Sequence, residues 1–256
     1  MLRNLRSKLL LWNGVSSALG PRVAFEYMIQ RRRRSRSDAI FRIHPRWAIC
    51  PLFGRRGSSD VDVFHQVFID REYKCLDDLT DVGLIIDCGA NVGYSSAYFL
   101  SQHPSSRIIA VEPDHDNFAM LRRNLAPYGS RVKLIHAGVW SHVTQLALSS
   151  SRYRDGREWS RQVRLSGPRD KVHIDGVDIE TLLACSGQNR ISILKVDVEG
   201  AEAVIFSENC QAWLEKVDAI DSNFGEASKI FFTAIEGHSF DVSASGELTV
   251  CRKATA

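Results

Sequence analysis

Three short stretches carry side chains whose types and spacing can do chemistry. In the first, Ile85-Ile86-Asp87-Cys88-Gly89-Ala90-Asn91-Val92-Gly93, an apolar run passes through a glycine-containing turn into a helical pattern. Glycines there let the backbone turn tightly and approach a ligand closely. The free N–H groups of the helix start favour an electronegative group. The spacing is G-x-x-x-G, not the G-x-G-x-x-G of dinucleotide sites. Asp87, two residues before the first glycine, suits a cationic amino-acid end, such as the methionine part of S-adenosylmethionine, and would repel a pyrophosphate.

In the second stretch, Val111-Glu112-Pro113-Asp114, Glu112 follows Asp87 by 25 residues. An acid about 20 residues beyond such a turn is placed to accept hydrogen bonds from ribose hydroxyls. The plainer role, a carboxylate favouring a helix start, is open to Asp114. Both stretches in register imply nucleoside binding.

The third is Ile193-Leu194-Lys195-Val196-Asp197-Val198-Glu199-Gly200-Ala201-Glu202. In open α/β sheets, ligands bind beyond the carboxyl ends of the strands. Lys195, Asp197, Glu199 and Glu202 can there orient a substrate hydroxyl, accept its proton or hold a divalent metal. Glu202 can instead serve only the helix start, and Lys195 can pair with a neighbouring acid. Asp197 and Glu199, two residues apart, share a face if the strand continues. His136, His173 and His238 sit in no recognisable catalytic spacing and read as ordinary surface or strand-end histidines.

The elements that must position these residues alternate from residue 84 onward. Leu84–Cys88, Ile108–Val111, Val132–Ala137, Ile191–Val196 and Val217–Ile220 read as buried strands, and Gly93–Gln102, Asp114–Leu125, Asp178–Ala184, a start at Ala201–Phe206 and Ala227–Glu236 as helices. That alternation indicates a parallel sheet covered on both faces. Phe240–Val242 and Leu248–Arg252 predict an antiparallel finish around Ser245-Gly246. Gln145–Leu148 and Gln162–Leu165 can pair as a hairpin around the polar stretch Ser149–Ser160. Upstream, Phe41–Ile49 has strand character and Gly54–Asp60 reads as a loop. Val63, Phe64, Val67 and Phe68 give Val61–Tyr73 a helical face, with Ser59 or Asp60 as its N-cap. Residues 1–30 suit one or two short helices.

Taken together, the pieces Ile86–Ser96, Val111–Pro113 and Leu194–Glu202 resemble the FkbM family of methyltransferases. Ser59-Asp60, Val63-Phe64, Gln66 and Glu72-Tyr73 are similar to that family's lead-in, and Ser245–Leu248 is a weaker match, so the resemblance covers roughly residues 55–252. It implies a class I methyltransferase fold: a Rossmann-like, mostly parallel, doubly wound α/β sheet with an antiparallel C-terminal strand, here preceded by a helical N-terminal extension. It also implies transfer of a methyl group from S-adenosylmethionine, usually to a hydroxyl oxygen of a sugar, glycan or natural product. By motif match, Asp87, Gly89, Asn91 and Gly93 line the donor pocket, Glu112 holds the ribose, Asp114 or Ala137 borders the adenine, and Asp197 and Glu199 face the reacting centre. Ala90 and Pro113, within the same stretches, are further candidate donor-binding residues, Lys195 is a further candidate catalytic residue, and a divalent metal is a candidate second cofactor. One departure stands out: where such proteins often carry Glu-x-His after the fifth strand, this chain has Ile220-Asp221-Ser222-Asn223-Phe224.

Composition narrows the alternatives. The 256 residues suit one full domain with an extension, and 44% hydrophobic and 25% charged residues are ordinary for a globular protein. Residues 1–36 carry nine Lys/Arg against Glu26, whereas the remainder has a net charge of −5. The run Arg31-Arg32-Arg33-Arg34-Ser35-Arg36 is either a solvated basic linker or a grip for phosphates, with an anionic membrane face as its candidate partner. Nucleic-acid methylation is disfavoured by the acidic catalytic part and the lack of an N-P-P-Y-type motif; a non-catalytic nucleotide-binding scaffold is the other alternative. Six cysteines without C-x-x-C spacing read as reduced thiols. Leu9–Leu11 is too short an apolar run to span a membrane, and no secretory signal is expected. The expected division is a basic extension at 1–38, a lead-in at 39–82 and a catalytic domain at 83–256, in a cytoplasmic protein that is at most peripheral to a membrane.

Overall fold

The computed structural model describes residues 12–32, 39–149, 162–198, 200–223 and 225–254. Two helices, α1 (12–19) and α2 (Pro21–Arg32), begin it. The hairpin β1 (Ile40–Ile43) and β2 (Leu52–Arg55) follows, then α3 (Asp60–His65). The predicted strand Phe41–Ile49 is thus shorter than expected. Pro45 lies just beyond β1 and has no N–H to give to a ladder. Gly54 and Arg55, expected in a loop, pair with Phe41 and Ile40 instead. A side chain at Gly54 would strike the Phe41 ring and the Tyr94 hydroxyl, so only glycine lets the hairpin lie this close.

The helix predicted over Val61–Tyr73 is broken. After α3 the chain widens into a π-turn, Gln66–Asp70, and stops at Arg71, whose φ of 54° is left-handed. A short 3₁₀ turn, Glu72–Leu76, then starts afresh. Ser59 occupies the N-cap of α3 without a side-chain capping bond. The buried aromatic rings of this lead-in explain its position. Phe64 meets Tyr94 edge-on at 5.6 Å, Phe68 meets Tyr98 at 6.0 Å and Tyr73 meets Phe99 at 5.1 Å. Such ring pairs add about 1 kcal/mol each beyond area burial.

The alternating part runs β3 (Leu84–Cys88), α4 (Tyr94–Gln102), β4 (Arg107–Val111), α5 (His115–Leu125) and β5 (Val132–Ile135). Four short strands come next: β6 (Gly138–Val139), β7 (Thr144–Leu148), β8 (Val163–Leu165) and β9 (Ile174–Val177). The chain continues with α6 (Ile179–Ser186), β10 (Ile193–Val196), α7 (Glu202–Ser207), α8 (Gln211–Leu214) and β11 (Ala219–Ser222). It ends with α9 (Ser228–Ile235), β12 (Phe240–Ser245) and β13 (Leu248–Lys253). The main sheet has the order β12-β13-β11-β10-β3-β4-β5, with β13 antiparallel to both neighbours and the remaining pairs parallel. This is the class I methyltransferase architecture, doubly wound and Rossmann-like, with the expected antiparallel final strand. The predicted hairpin forms as β7 and β8, within a second sheet of order β6-β9-β7-β8 that sequence reading did not foresee.

The sheet pleat sorts the core into two layers. Ile85, Ile193 and Ala219 face α4, α5, the lead-in and the first two helices. Leu84, Ile86, Cys88, Leu194, Val196 and Ile220 face α6 to α9. By the two-residue period of a strand, Asp87, Lys195 and Asp221 lie on the first of these faces, and they are register neighbours across β3, β10 and β11. The topological switch point, where strand order reverses, falls between β3 and β10. Among the described residues no helix is long and apolar enough to cross a membrane. Of the arginine run, Arg31 is exposed at the end of α2, and residues 33–36 lie outside the described residues, as do residues 150–161 of the polar stretch.

Candidate active site

A cavity of about 290 Å³ opens beyond the carboxyl ends of β3, β4, β10 and β11, where a doubly wound sheet binds its ligands. The turn after β3 forms one end. Gly89, Asn91 and Gly93 all have positive φ, at 80°, 50° and 87°. Gly89 and Ala90 both donate their N–H groups to the Val111 carbonyl, at 3.0 and 2.9 Å, and so tie the turn to β4. Gly89, Ala90 and Asn91 line the cavity together with Glu112, Pro113 and Ala137.

Glu112 is buried with its carboxylate held in place. Its oxygens accept from the backbone N–H groups of Asn91 and Asp114, each at 2.9 Å, and from the Asn117 amide at 3.3 Å. Burial pushes its pKa up to about 7, against the pull of the Asp114 and Asn91 N–H groups. The side-chain carbonyl of Asn91 is buried and accepts no hydrogen bond from the described residues.

Three residues expected in the donor pocket sit behind it. Asp87, read from sequence as the partner of a cationic ligand, is wholly buried and touches no cavity surface. It accepts from the Ser95 and Ser96 hydroxyls at 2.7 and 2.6 Å and pairs with Lys195 Nζ at 3.1 Å. Gly93 caps α4, and a side chain there would meet Leu121. Asp114 caps α5, accepting from the N–H groups of Asp116 and Asn117 at 3.0 Å each. Replacing Asp114 with Ala should therefore lower stability by about 1 kcal/mol and shift the thermal melt accordingly.

Lys195 and Asp197 line the opposite end of the cavity. Lys195 is 2% exposed and bridges Asp87 to Asp197, 3.5 Å away, while donating to the Gly89 carbonyl at 3.1 Å. Burial alone lowers an ammonium pKa, but the carboxylates of Asp87 and Asp197 outweigh it and keep Lys195 charged far above neutrality. Glu199 lies outside the described residues. Glu202 is buried and accepts from the Gly200 N–H at 2.8 Å, so it serves the turn into α7. Among the described residues no group of three or more His, Cys, Asp or Glu is arranged to share a metal ion. His136, His173 and His238 do not line the cavity.

Four ionisable residues at this end carry no role in the sequence reading: Glu72, Tyr73, Asp221 and Glu247. Asp221 is fully buried, and neither of its oxygens accepts a hydrogen bond from the described residues. Burial drives its carboxyl well above the ordinary range, more than Lys195 restrains it. Its signal in the sequence was the departure at Asp221–Phe224. Glu72 comes from the 3₁₀ turn after Arg71, and only the pair Glu72-Tyr73 marked it.

A family model described as the methyltransferase FkbM domain matches residues 87–243. Methyltransferase 1 of Beauveria bassiana is 31% identical over 164 residues, covering 56% of this chain and 65% of that protein. Methyltransferase sdnD of Sordaria araneosa is 29% identical over 169 residues, covering 55% and 65%. The chain thus spans 65% of the length of these two relatives. Among solved structures, a methyltransferase from Geobacter sulfurreducens is similar at 18% identity and a TM-score of 0.41, covering 72% of this chain and 78% of that chain.

Proposed function

Because the chain belongs to the FkbM methyltransferase family, we propose that it moves the methyl group of S-adenosylmethionine to a hydroxyl oxygen of a small-molecule or glycan acceptor. One observation carries this reading: the glycine turn with Glu112 and the strand end with Asp197 open into a single cavity. The residues at the first end suit the donor. The Asn91 side-chain carbonyl is a buried acceptor without a partner among the described residues, and the Glu112 carboxylate reaches the cavity beside it. Both can take hydrogen bonds from ribose hydroxyls or an ammonium group.

S-adenosylmethionine, when bound, supplies a methyl carbon already activated by a sulfonium charge. The protein's task is alignment and proton removal. Asp197 projects from the β10 end and is 54% exposed, so it can meet an acceptor hydroxyl from the open side. Lys195 positions it and holds the Gly89 carbonyl at the same time, which couples the two ends of the cavity.

Two measurements test the proposal. Isothermal titration with S-adenosylmethionine should show one site per chain; no binding would favour a scaffold that keeps the fold without the reaction. A screen of hydroxylated acceptors should then find one that gains the mass of a methyl group. Asp197→Asn should slow that transfer by about 100-fold, the range for a misaligned acceptor, with donor affinity retained. Full turnover in both Asp197→Asn and Glu199→Gln would remove these two acids from the mechanism.

A further inference from the structure

The acid end of the cavity holds a carboxylate that the β10 motif does not supply. Glu72 lines it beside Lys195, Asp197 and Asp221, although it precedes the whole alternating sheet in sequence. The left-handed Arg71 ends the π-turn and starts the 3₁₀ turn that carries Glu72. The turn is fixed on both sides: Arg71 pairs with Asp77 at 2.6 Å and lies over the Trp47 ring, and Tyr73 packs on Phe99. Glu72 is therefore delivered by a packed element rather than by a free loop.

The other acids of the cavity are otherwise engaged. Asp197 is mostly exposed and paired with Lys195. Asp221 is fully buried, and burial drives its carboxyl well above the ordinary range, against the pull of Lys195. Glu112 accepts two backbone hydrogen bonds at the far end. Glu72 is half-buried. Burial pushes its pKa up and the like charge of Asp197 adds to this, against Lys195, to about 7. Glu247, from the turn between β12 and β13, and Asp70, from the π-turn, push in the same direction. Asp221 on β11 and the uncharged phenol of Tyr73 complete its surroundings. A base held near the working pH is the efficient kind.

We propose that Glu72 receives the acceptor's proton during methyl transfer, its carboxylate facing the donor's sulfonium charge before the transfer and standing neutral after it. This rests on the reading that S-adenosylmethionine is the donor and a hydroxyl the acceptor. The carbon–sulfur bond breaks with its electron pair left on sulfur as a thioether, the oxygen–carbon bond forms, and the hydroxyl proton passes to Glu72. One positive and one negative charge disappear together. The acid cluster is thus never left with an uncompensated extra carboxylate when the neutral product occupies the site, which in a low-dielectric cleft would oppose the reaction.

The test needs no acceptor. Calorimetry in buffers of different ionisation enthalpy counts the protons exchanged when S-adenosylmethionine or S-adenosylhomocysteine binds. A cation beside Glu72 lowers its pKa. At pH 7 donor binding should therefore release about half a proton more than product binding, a difference that fades towards pH 5 and pH 9. The adenosyl and amino-acid parts are common to both ligands, so any contribution from Glu112 cancels. In Glu72→Gln the difference should vanish, and the preference for donor over product should fall about tenfold. Unchanged affinity for S-adenosylhomocysteine in that variant shows that its site is intact. Equal proton release by the two ligands in the unaltered protein overturns the role of Glu72, as does an undiminished difference in Glu72→Gln. Binding of neither ligand overturns the donor reading as well.

Discussion

Gly89→Ala should abolish binding of S-adenosylmethionine and lower stability by more than about 3 kcal/mol, the range of severe overpacking with backbone strain. Two separate causes act at this position. Its φ of 80° is one that side chains rarely adopt. An added Cβ would also stand 1.9 Å from the Asp197 carbonyl oxygen, an impossible contact. Neither partner can yield cheaply. The Gly89 N–H is bound to the Val111 carbonyl and its own carbonyl to Lys195, while the Asp197 N–H is bound to the Cys88 carbonyl at 3.0 Å. Gly187→Ala separates the two causes. Gly187 has a φ of 70° with nothing within 4 Å of an added Cβ, so it should show the backbone penalty alone, about 1 kcal/mol. Urea denaturation of both variants reads the comparison. Equal losses would mean that β3 and β10 are not packed this closely at their ends.

The motif around Gly89 was legible because its determinants are local. An apolar strand, a turn that needs positive φ and a helix start follow one another within residues 85–94. The strand–helix alternation and the antiparallel finish could be read for the same reason. Asp87 shows where that reading stops. In sequence it looks like a ligand group, but its partner is 108 residues away, and only the register of β3 on β10 brings Lys195 beside it. Glu72 escaped for a related reason. The apolar pattern from Val63 to Phe68 suits a continuous helix, and the left-handed Arg71 that ends it is not a glycine, so no residue type announces the break. The small second sheet rests on strands of two to five residues, one of them interrupted by Gly176, too short for a periodic signal.

The buried ion pair that sequence concealed should also carry a large share of the stability. Lys195→Met keeps most of the side-chain volume and removes the ammonium. Asp87 is then left fully buried, with the Ser95 and Ser96 hydroxyls its only hydrogen-bond donors among the described residues. Breaking one half of a buried pair costs about 3–5 kcal/mol, whereas neutralising both halves costs far less. Asp87→Asn combined with Lys195→Met should therefore recover at least about half of the loss, and the difference between single and double variants measures the coupling. A double variant no more stable than Lys195→Met would show that Asp87 does not carry a charge in the fold. The same substitution also frees the Gly89 carbonyl, so donor affinity should fall with stability in Lys195→Met and remain reduced in the double variant. That second loss distinguishes the two tasks of Lys195: its charge neutralises Asp87, and its hydrogen bond holds the turn proposed to carry the donor.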